Sequence, residues 1–197
     1  WYYYTWLSGD FNVEQHVHYL DVCAWILGGY PKSAVGMGGR QIRTGEEYGN
    51  IYDHHSVTYE YDNGARLFSN TRQQKGCYKE MTAKVIGSKG HGEVSERLLQ
   101  LEEQGKTWRF KKKVKNMYQV EHDELFASIR SGKPINNAEY MAKSTLLAIM
   151  GRMATYTGKK VTWEQALNSK EKLGPEKYEW GDAPKVEIAM PGITKLT

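Results

Sequence analysis

The run Ser56–Tyr61 constrains this chain more than any other six residues. Val57, Tyr59 and Tyr61 alternate with Ser56, Thr58 and Glu60, and a period of two marks a strand with one face buried. Asn63-Gly64 follows, a pair in which both residues tolerate positive φ, so the pattern predicts a tight hairpin with Ala65–Arg72 as the returning strand. The fold has to be built around an antiparallel pair.

Helices flank that pair. Asn12-x-x-Gln15, Asn116-x-x-Gln119, Asn136-x-x-Glu139 and Thr162-x-x-Gln165 all resemble capping boxes, a short polar side chain followed by one that can reach back to it. Gly28, Gly132 and Gly158 supply left-handed stops. These signals predict helices over 13–27, 117–131, 137–157 and 163–168. Further strands are expected over 32–42, 79–87, 92–96 and 106–111, with Ser88-Lys89-Gly90 turning between two of them. Helix, then antiparallel strands, then helices indicates an α+β fold: an open, mainly antiparallel sheet with helices packed on one face. The 197 residues fit one domain better than two. Residues 1–10 read as a junction, and 170–197 as an irregular tail punctuated by Pro175, Pro184 and Pro191.

Composition narrows the function classes. A net charge of +4 and one dense basic run, Arg109–Lys115, fall short of the broad basic face that nucleic-acid binding needs. No apolar run reaches the roughly 18 residues of a membrane helix. Cys23 and Cys77 make neither a disulfide framework nor a four-ligand metal site and are compatible with either redox compartment, so localisation stays open. Trp1-Tyr2-Tyr3-Tyr4-Thr5-Trp6 is the most apolar-aromatic stretch and reads as the interior of a longer protein, of which this chain is expected to be a fragment.

On the first expected helix, Val13, Val17, Leu20, Ala24 and Leu27 form an apolar stripe, and Glu14, His18, Asp21 and Trp25 form a second one residue further on. The ionisable stripe borders the buried face, where a carboxylate one turn from an imidazole can raise its basicity and fix its tautomer. That suits a general base. The plain alternative is a surface i,i+4 pair worth about 0.3 kcal/mol, and spacing alone favours it. Metal binding by His16 and His18, or by Asp53, His54 and His55, is disfavoured. On a helix His16 and His18 point some 200° apart, and on a strand His54 and His55 face opposite ways. His91 and His122 read as structural. Gly36-Met37-Gly38-Gly39 and the glycines from Gly87 to Gly92 lead into strand-like runs, so turns and bulges explain them better than a nucleotide-binding fingerprint. No nucleotide fold is expected in this chain.

The segment Ser8-Gly9-Asp10-Phe11-Asn12-Val13-Glu14-Gln15-His16-Val17-His18-Tyr19-Leu20-Asp21-Val22 resembles the opening of the C-terminal domain in the Gfo/Idh/MocA oxidoreductase family. The family pattern is a Gly-rich turn, an acidic residue, a His four later and an Asp three beyond, the last three falling here on Glu14, His18 and Asp21. Tyr118-x-x-Glu121-His122, Ile129–Pro134 and Gly151–Lys159 with Val161-Thr162-Trp163 are similar to one branch of the family.

The resemblance implies the substrate-side half of a dehydrogenase acting on a sugar or cyclitol hydroxyl. His18 would be the acid/base and Glu14 its neighbouring carboxylate, with Glu where the family usually has Asp. NAD or NADP, and a family Lys, would come from a missing N-terminal domain, and the open sheet face would form a homo-oligomer. Asp21, Arg72 and Arg152 are candidate substrate contacts, though Arg152 equally suits a partner in the core. Trp6 and Tyr4 are candidates to stack on a sugar ring or, equally, to fill the domain junction. NAD-assisted glycoside cleavage and a non-catalytic sugar-binding module remain open beside the dehydrogenase reading.

Overall fold

The structure, a computed structural model, describes residues 1–96, 98–181 and 186–197, so Pro184 of the expected tail lies outside the described residues. In chain order the elements are α1 (Thr5–Ser8), α2 (Phe11–Glu14), α3 (Val17–Leu27), β1 (Ser33–Gly39), β2 (His54–Glu60), β3 (Arg66–Arg72), β4 (Ala83–Gly87), β5 (Gly90–Val94), β6 (Leu99–Glu103), β7 (Lys106–Arg109), α4 (Met117–Ser131), α5 (Ala138–Thr157), β8 (Val161–Thr162) and α6 (Trp163–Leu167). The chain divides into two compact units, Trp1–Tyr78 with Ala142–Thr197, and Lys79–Met141.

In the first unit the sheet runs β3-β2-β1-β8 and is antiparallel throughout. The hairpin sits where the alternation placed it, with Val57 and Tyr59 closed off and Ser56 exposed. Gly64 alone in its turn takes a positive φ, of 84°, while the Asn63 side chain accepts from the amide of Ala65. The inner face packs against Leu20 and Ala24 of α3 and Leu147, Met150 and Ala154 of α5. Each fully buried aliphatic side chain contributes roughly 1.5–3 kcal/mol.

The glycines of β1 belong to this packing, which corrects their reading as turns or bulges. A Cβ on Gly36 would stand 2.8 Å from Thr155 Cγ2, and one on Gly38 would stand 2.7 Å from the His54 carbonyl oxygen. They let α5 approach the sheet.

The second unit holds a four-stranded antiparallel meander, β4-β5-β6-β7, and the helix α4. The Ser88-Lys89 turn joins β4 to β5 as expected. Strand β6 escaped the sequence reading because Leu99–Glu103 mixes apolar and acidic residues without a sustained alternation, although the Gln104-Gly105 turn, with both residues at positive φ, bounds it.

The largest correction concerns the first helix, expected unbroken over 13–27. It is two pieces with a break at Gln15 and His16. Asp10, not Asn12, caps the first piece, its side chain accepting from the Asn12 amide, while Asn12 is buried and donates to the Ala148 carbonyl at 2.9 Å. The His16 amide reaches back five residues to Phe11, and the His18 amide only three, to Gln15. Glu14 and His18 therefore do not share a continuous helical face.

Candidate active site

The break at Gln15–His16 turns Glu14 inward and His18 outward. One carboxylate oxygen of Glu14, Oε2, is closed to solvent without a hydrogen-bond partner among the described residues. His18 is exposed, and no described residue hydrogen-bonds its ring. His16, between them, turns its Nε2 to Ser69 Oγ at 2.7 Å, and burial, aided by the charge of His55, pushes its pKa down to about 4.

A polar cluster forms around the N-terminal end of this break. Gln73 Nε2 donates to the Tyr2 hydroxyl at 2.7 Å and to Gln15 Oε1 at 2.5 Å, and Gln73 Oε1 accepts from Arg43 Nη2 at 2.5 Å. The Arg43 guanidinium lies over the rings of Tyr3 and Phe11, 5.1 and 5.9 Å from their centroids. Its other terminal nitrogen, Nη1, is buried and has no hydrogen-bond partner among the described residues. Burial raises the Tyr2 phenol, and Glu14 adds to that while Gln73 and Arg43 oppose it. The cluster thus holds one unmet donor and one unmet acceptor beside a hub of neutral amide and hydroxyl groups.

Arg43 is placed by Asp53. The Asp53 Oδ2 accepts from the amides of Gln41, Ile42 and Arg43 at 2.6, 2.7 and 3.1 Å, and Oδ1 meets His54 Nδ1 at 2.7 Å. Burial alone would raise this carboxyl, but the hydrogen bonds from His54 and the three amides outweigh it and hold Asp53 well below the usual carboxylate range.

Beneath the site lies a network closed to solvent. Asp10, at φ 85°, accepts from the Tyr52 amide at 3.0 Å and from the Tyr156 hydroxyl at 2.5 Å, and meets His55 Nε2 at 3.1 Å. His55 Nδ1 lies 2.9 Å from Thr155 Oγ1. Burial pushes the Asp10 carboxyl up, but His55, Tyr156 and the Tyr52 amide together hold it low. Asp10 thereby fixes the turn from which Glu14 projects.

The other residues singled out in the sequence scatter. The Asp21 Oδ1 accepts from Ser144 Oγ at 2.5 Å, which ties α3 to α5. Trp6 and Tyr4 are half-buried and Arg72 is exposed at the end of β3, across from His54 in register. Arg152 is 3% exposed; it donates to Glu171 Oε2 at 2.5 Å and to the Gly9 carbonyl at 3.3 Å. Among the described residues, no three His, Cys, Asp or Glu side chains converge to hold a metal ion, and no helix is long and apolar enough to cross a membrane. Sequence reasoning missed Asp10, Arg43 and Gln73. Asp10 carried a usable signal, a capping Asp after a Gly, whereas Arg43 and Gln73 sit in loops with no periodicity to mark them.

Residues 1–93 match the model of the GFO/IDH/MocA C-terminal domain. The segments at Tyr118, Ile129 and Gly151 lie beyond that match. No curated protein sequence matches the chain. Among solved structures, the chain is similar to an aldose-aldose oxidoreductase from Caulobacter crescentus complexed with glycerol, at 18% identity and a TM-score of 0.62, covering 74% of this chain and 45% of that one. It is similar to UDP-N-acetylglucosamine 3-dehydrogenase from Acidithiobacillus ferrooxidans at 13% identity and a TM-score of 0.60, covering 76% and 48%. An oxidoreductase from Agrobacterium radiobacter in complex with NAD+, L-tartaric acid and magnesium matches at 14% identity and a TM-score of 0.59, again covering 76% and 48%. The chain spans a little under half the length of these structures. At such identities the likeness establishes the α+β fold.

Proposed function

We propose that this chain, whose residues 1–93 match the GFO/IDH/MocA C-terminal domain model, is the substrate-side half of an NAD(P)-dependent oxidoreductase acting on a hydroxyl of a sugar or cyclitol. One observation carries the reading. The segment Gly9–Asp21 lies inside the family match, presents an imidazole in the open at His18, and holds a carboxylate oxygen of Glu14 in want of a donor. In this reading His18 takes the proton of the hydroxyl being oxidised, the step in which a positioned base contributes most. Glu14 makes no hydrogen bond to His18, so its proposed part is to accept a hydrogen bond from the ligand through its other carboxylate oxygen, Oε1, the side chain being half-buried. The solved relatives whose names include an aldose oxidoreductase and a sugar-nucleotide dehydrogenase support this substrate class.

The cofactor does not fit the residues of this chain. A dinucleotide needs a glycine-rich turn leading from a strand into a helix N-terminus. Among the described residues no such turn joins a strand directly to an α-helix, and the glycines of β1 are spent on packing. The nicotinamide cofactor of the proposed reaction would be held outside this chain, so only the proton side of the reaction is derived from these residues. The chain by itself is accordingly proposed to be inactive; separately, it is proposed to assemble as a homo-oligomer through the end of its open sheet face that exposes Val35, Met37 and Phe68.

The test is His18→Gln in the protein that carries this chain, assayed with NAD and NADP against a panel of aldoses and cyclitols. Turnover should fall about 10²–10⁴-fold. Unchanged turnover with an unchanged pH profile would remove His18 from the reaction. Glycoside cleavage without net NADH would replace the dehydrogenase by its lyase-like alternative.

A further inference from the structure

Asp53 and His54 stand at the entry to β2, within the family match but outside the segment Gly9–Asp21, and their side chains make a dyad. Asp53 Oδ1 meets the imidazole at Nδ1, 2.7 Å away, and also accepts from Gln74 Nε2 at 3.1 Å. The second oxygen is pinned by three backbone amides, so the carboxylate cannot turn away. The Asp53 side chain has no open surface, while 41% of the His54 side-chain surface is open. A buried carboxylate facing Nδ1 selects the tautomer with its proton on Nδ1 and leaves the lone pair on Nε2. No described residue hydrogen-bonds Nε2, and Gly39, paired with His54 in register, leaves that edge uncovered: a Cβ there would lie 3.6 Å from Nε2. An oriented imidazole with a free, exposed nitrogen is the base-plus-orienter half of a proton-transfer site. His18 has no such orienter.

The surroundings offer one further donor. Arg72 stands directly across the ladder from His54 and is exposed, giving a donor on the same face. The turn held by Asp53 carries Arg43, whose guanidinium is tied into the neutral amide and hydroxyl groups of Gln73, Gln15 and Tyr2.

We propose that the Asp53–His54 dyad is a proton-transfer site for a hydroxyl of a small polyol, with His54 Nε2 as the atom that takes and returns the proton and Asp53 as the positioning residue. The O–H bond of the ligand breaks as Nε2–H forms. Asp53 stays ionised and faces the imidazolium, and nothing is oxidised or reduced in the step. The ligand class rests on the oxidoreductase reading above; the dyad does not, and His54 stands as the alternative to His18 for that proton.

Two measurements test it. Long-range ¹⁵N–¹H correlation spectra of the chain should show neutral His54 protonated at Nδ1, and Asp53→Asn should abolish that preference; an Nε2–H tautomer in the unaltered protein overturns the proposal. In the protein that carries this chain, with D-glucose and myo-inositol as probes, His54→Gln should lower kcat about 10²–10⁴-fold with KM changed far less and the melting temperature kept. A kcat within twofold overturns it. If H54Q is inactive while H18Q is not, His18 loses its role and the dyad keeps its own; the reverse outcome sinks the dyad and spares the earlier reading. If neither probe is turned over, an unshifted His54 Nε2 resonance at saturating myo-inositol overturns the proposal.

Discussion

Asp10 and His55, 45 residues apart in sequence, meet at 3.1 Å with neither side chain touching solvent. The contact joins the turn before α2 to the inner face of β2, and the Tyr156 hydroxyl completes it from α5. Asp10→Ala would leave the His55 ring, the Tyr156 hydroxyl and the Tyr52 amide without their acceptor. Breaking a buried pair from one side costs about 3–5 kcal/mol, because the partner stays buried and unpaired. Urea unfolding of the variant should show a loss of that order. A loss under 1 kcal/mol would mean the network is dispensable.

Acid should unfold the protein partly through two carboxylates. Asp10 and Asp53 are both held below the ordinary value near 4, so each favours the folded state fully above that pH. Their contribution disappears as pH falls below about 4 toward their folded values. Stability measured from pH 5 down to pH 2 should decline, and Asp53→Asn should flatten the decline.

His16 works in a higher window. Its folded pKa of about 4 lies below the model-peptide value of 6.5, so between those two values the unfolded chain binds more protons than the folded one. Stability must therefore rise with pH across that window, by about 3 kcal/mol at roughly 1.4 kcal/mol per unit. His16→Gln should remove this rise while leaving the steeper loss below pH 4. A wild-type stability that is flat between pH 4.5 and 6.5 would show that His16 protonates freely in the fold.

Gly151 reverses an ordinary expectation. A glycine inside a helix usually costs about 1 kcal/mol relative to alanine, so Gly→Ala would stabilise. Here the added Cβ would stand 2.1 Å from the buried Tyr59 hydroxyl. Gly151→Ala should instead lower stability by about 1–3 kcal/mol through overpacking, and Gly151→Ala with Tyr59→Phe should recover part of it. A stabilised single variant would mean that Tyr59 moves freely.

What the sequence disclosed follows from how local each signal is. The hairpin of β2 and β3 and helix α4 were readable because alternation and capping act within a few residues. Asn116 caps α4 at Tyr118 and Gln119, and Thr162 with Gln165 forms the full capping box at α6. The break at Gln15–His16 was not readable, since the apolar stripe continues through it. The break becomes intelligible only from contacts distant in sequence: Asn12 drawn to Ala148 and His16 to Ser69. Arg43 and Gln73 were invisible for the same reason: a hydrogen bond between two loops leaves no period in either.

Arg152 separates binding from scaffolding. Its guanidinium is closed to solvent, paired with Glu171 Oε2 and with the Gly9 carbonyl immediately before Asp10. A side chain so enclosed meets a ligand only if the Gly9 turn opens, whereas its loss removes the anchor of that turn and leaves Glu171 uncompensated. Arg152→Met should therefore cost about 3 kcal/mol of stability as a broken buried pair. Glu171→Gln should cost a comparable amount, since it leaves the enclosed Arg152 charge without its carboxylate while an amide oxygen can still accept its hydrogen bond. In enzyme assays below the melting transition the Arg152→Met variant should show a KM within a few fold of wild type. A KM raised tenfold or more with stability kept would make Arg152 a ligand contact after all.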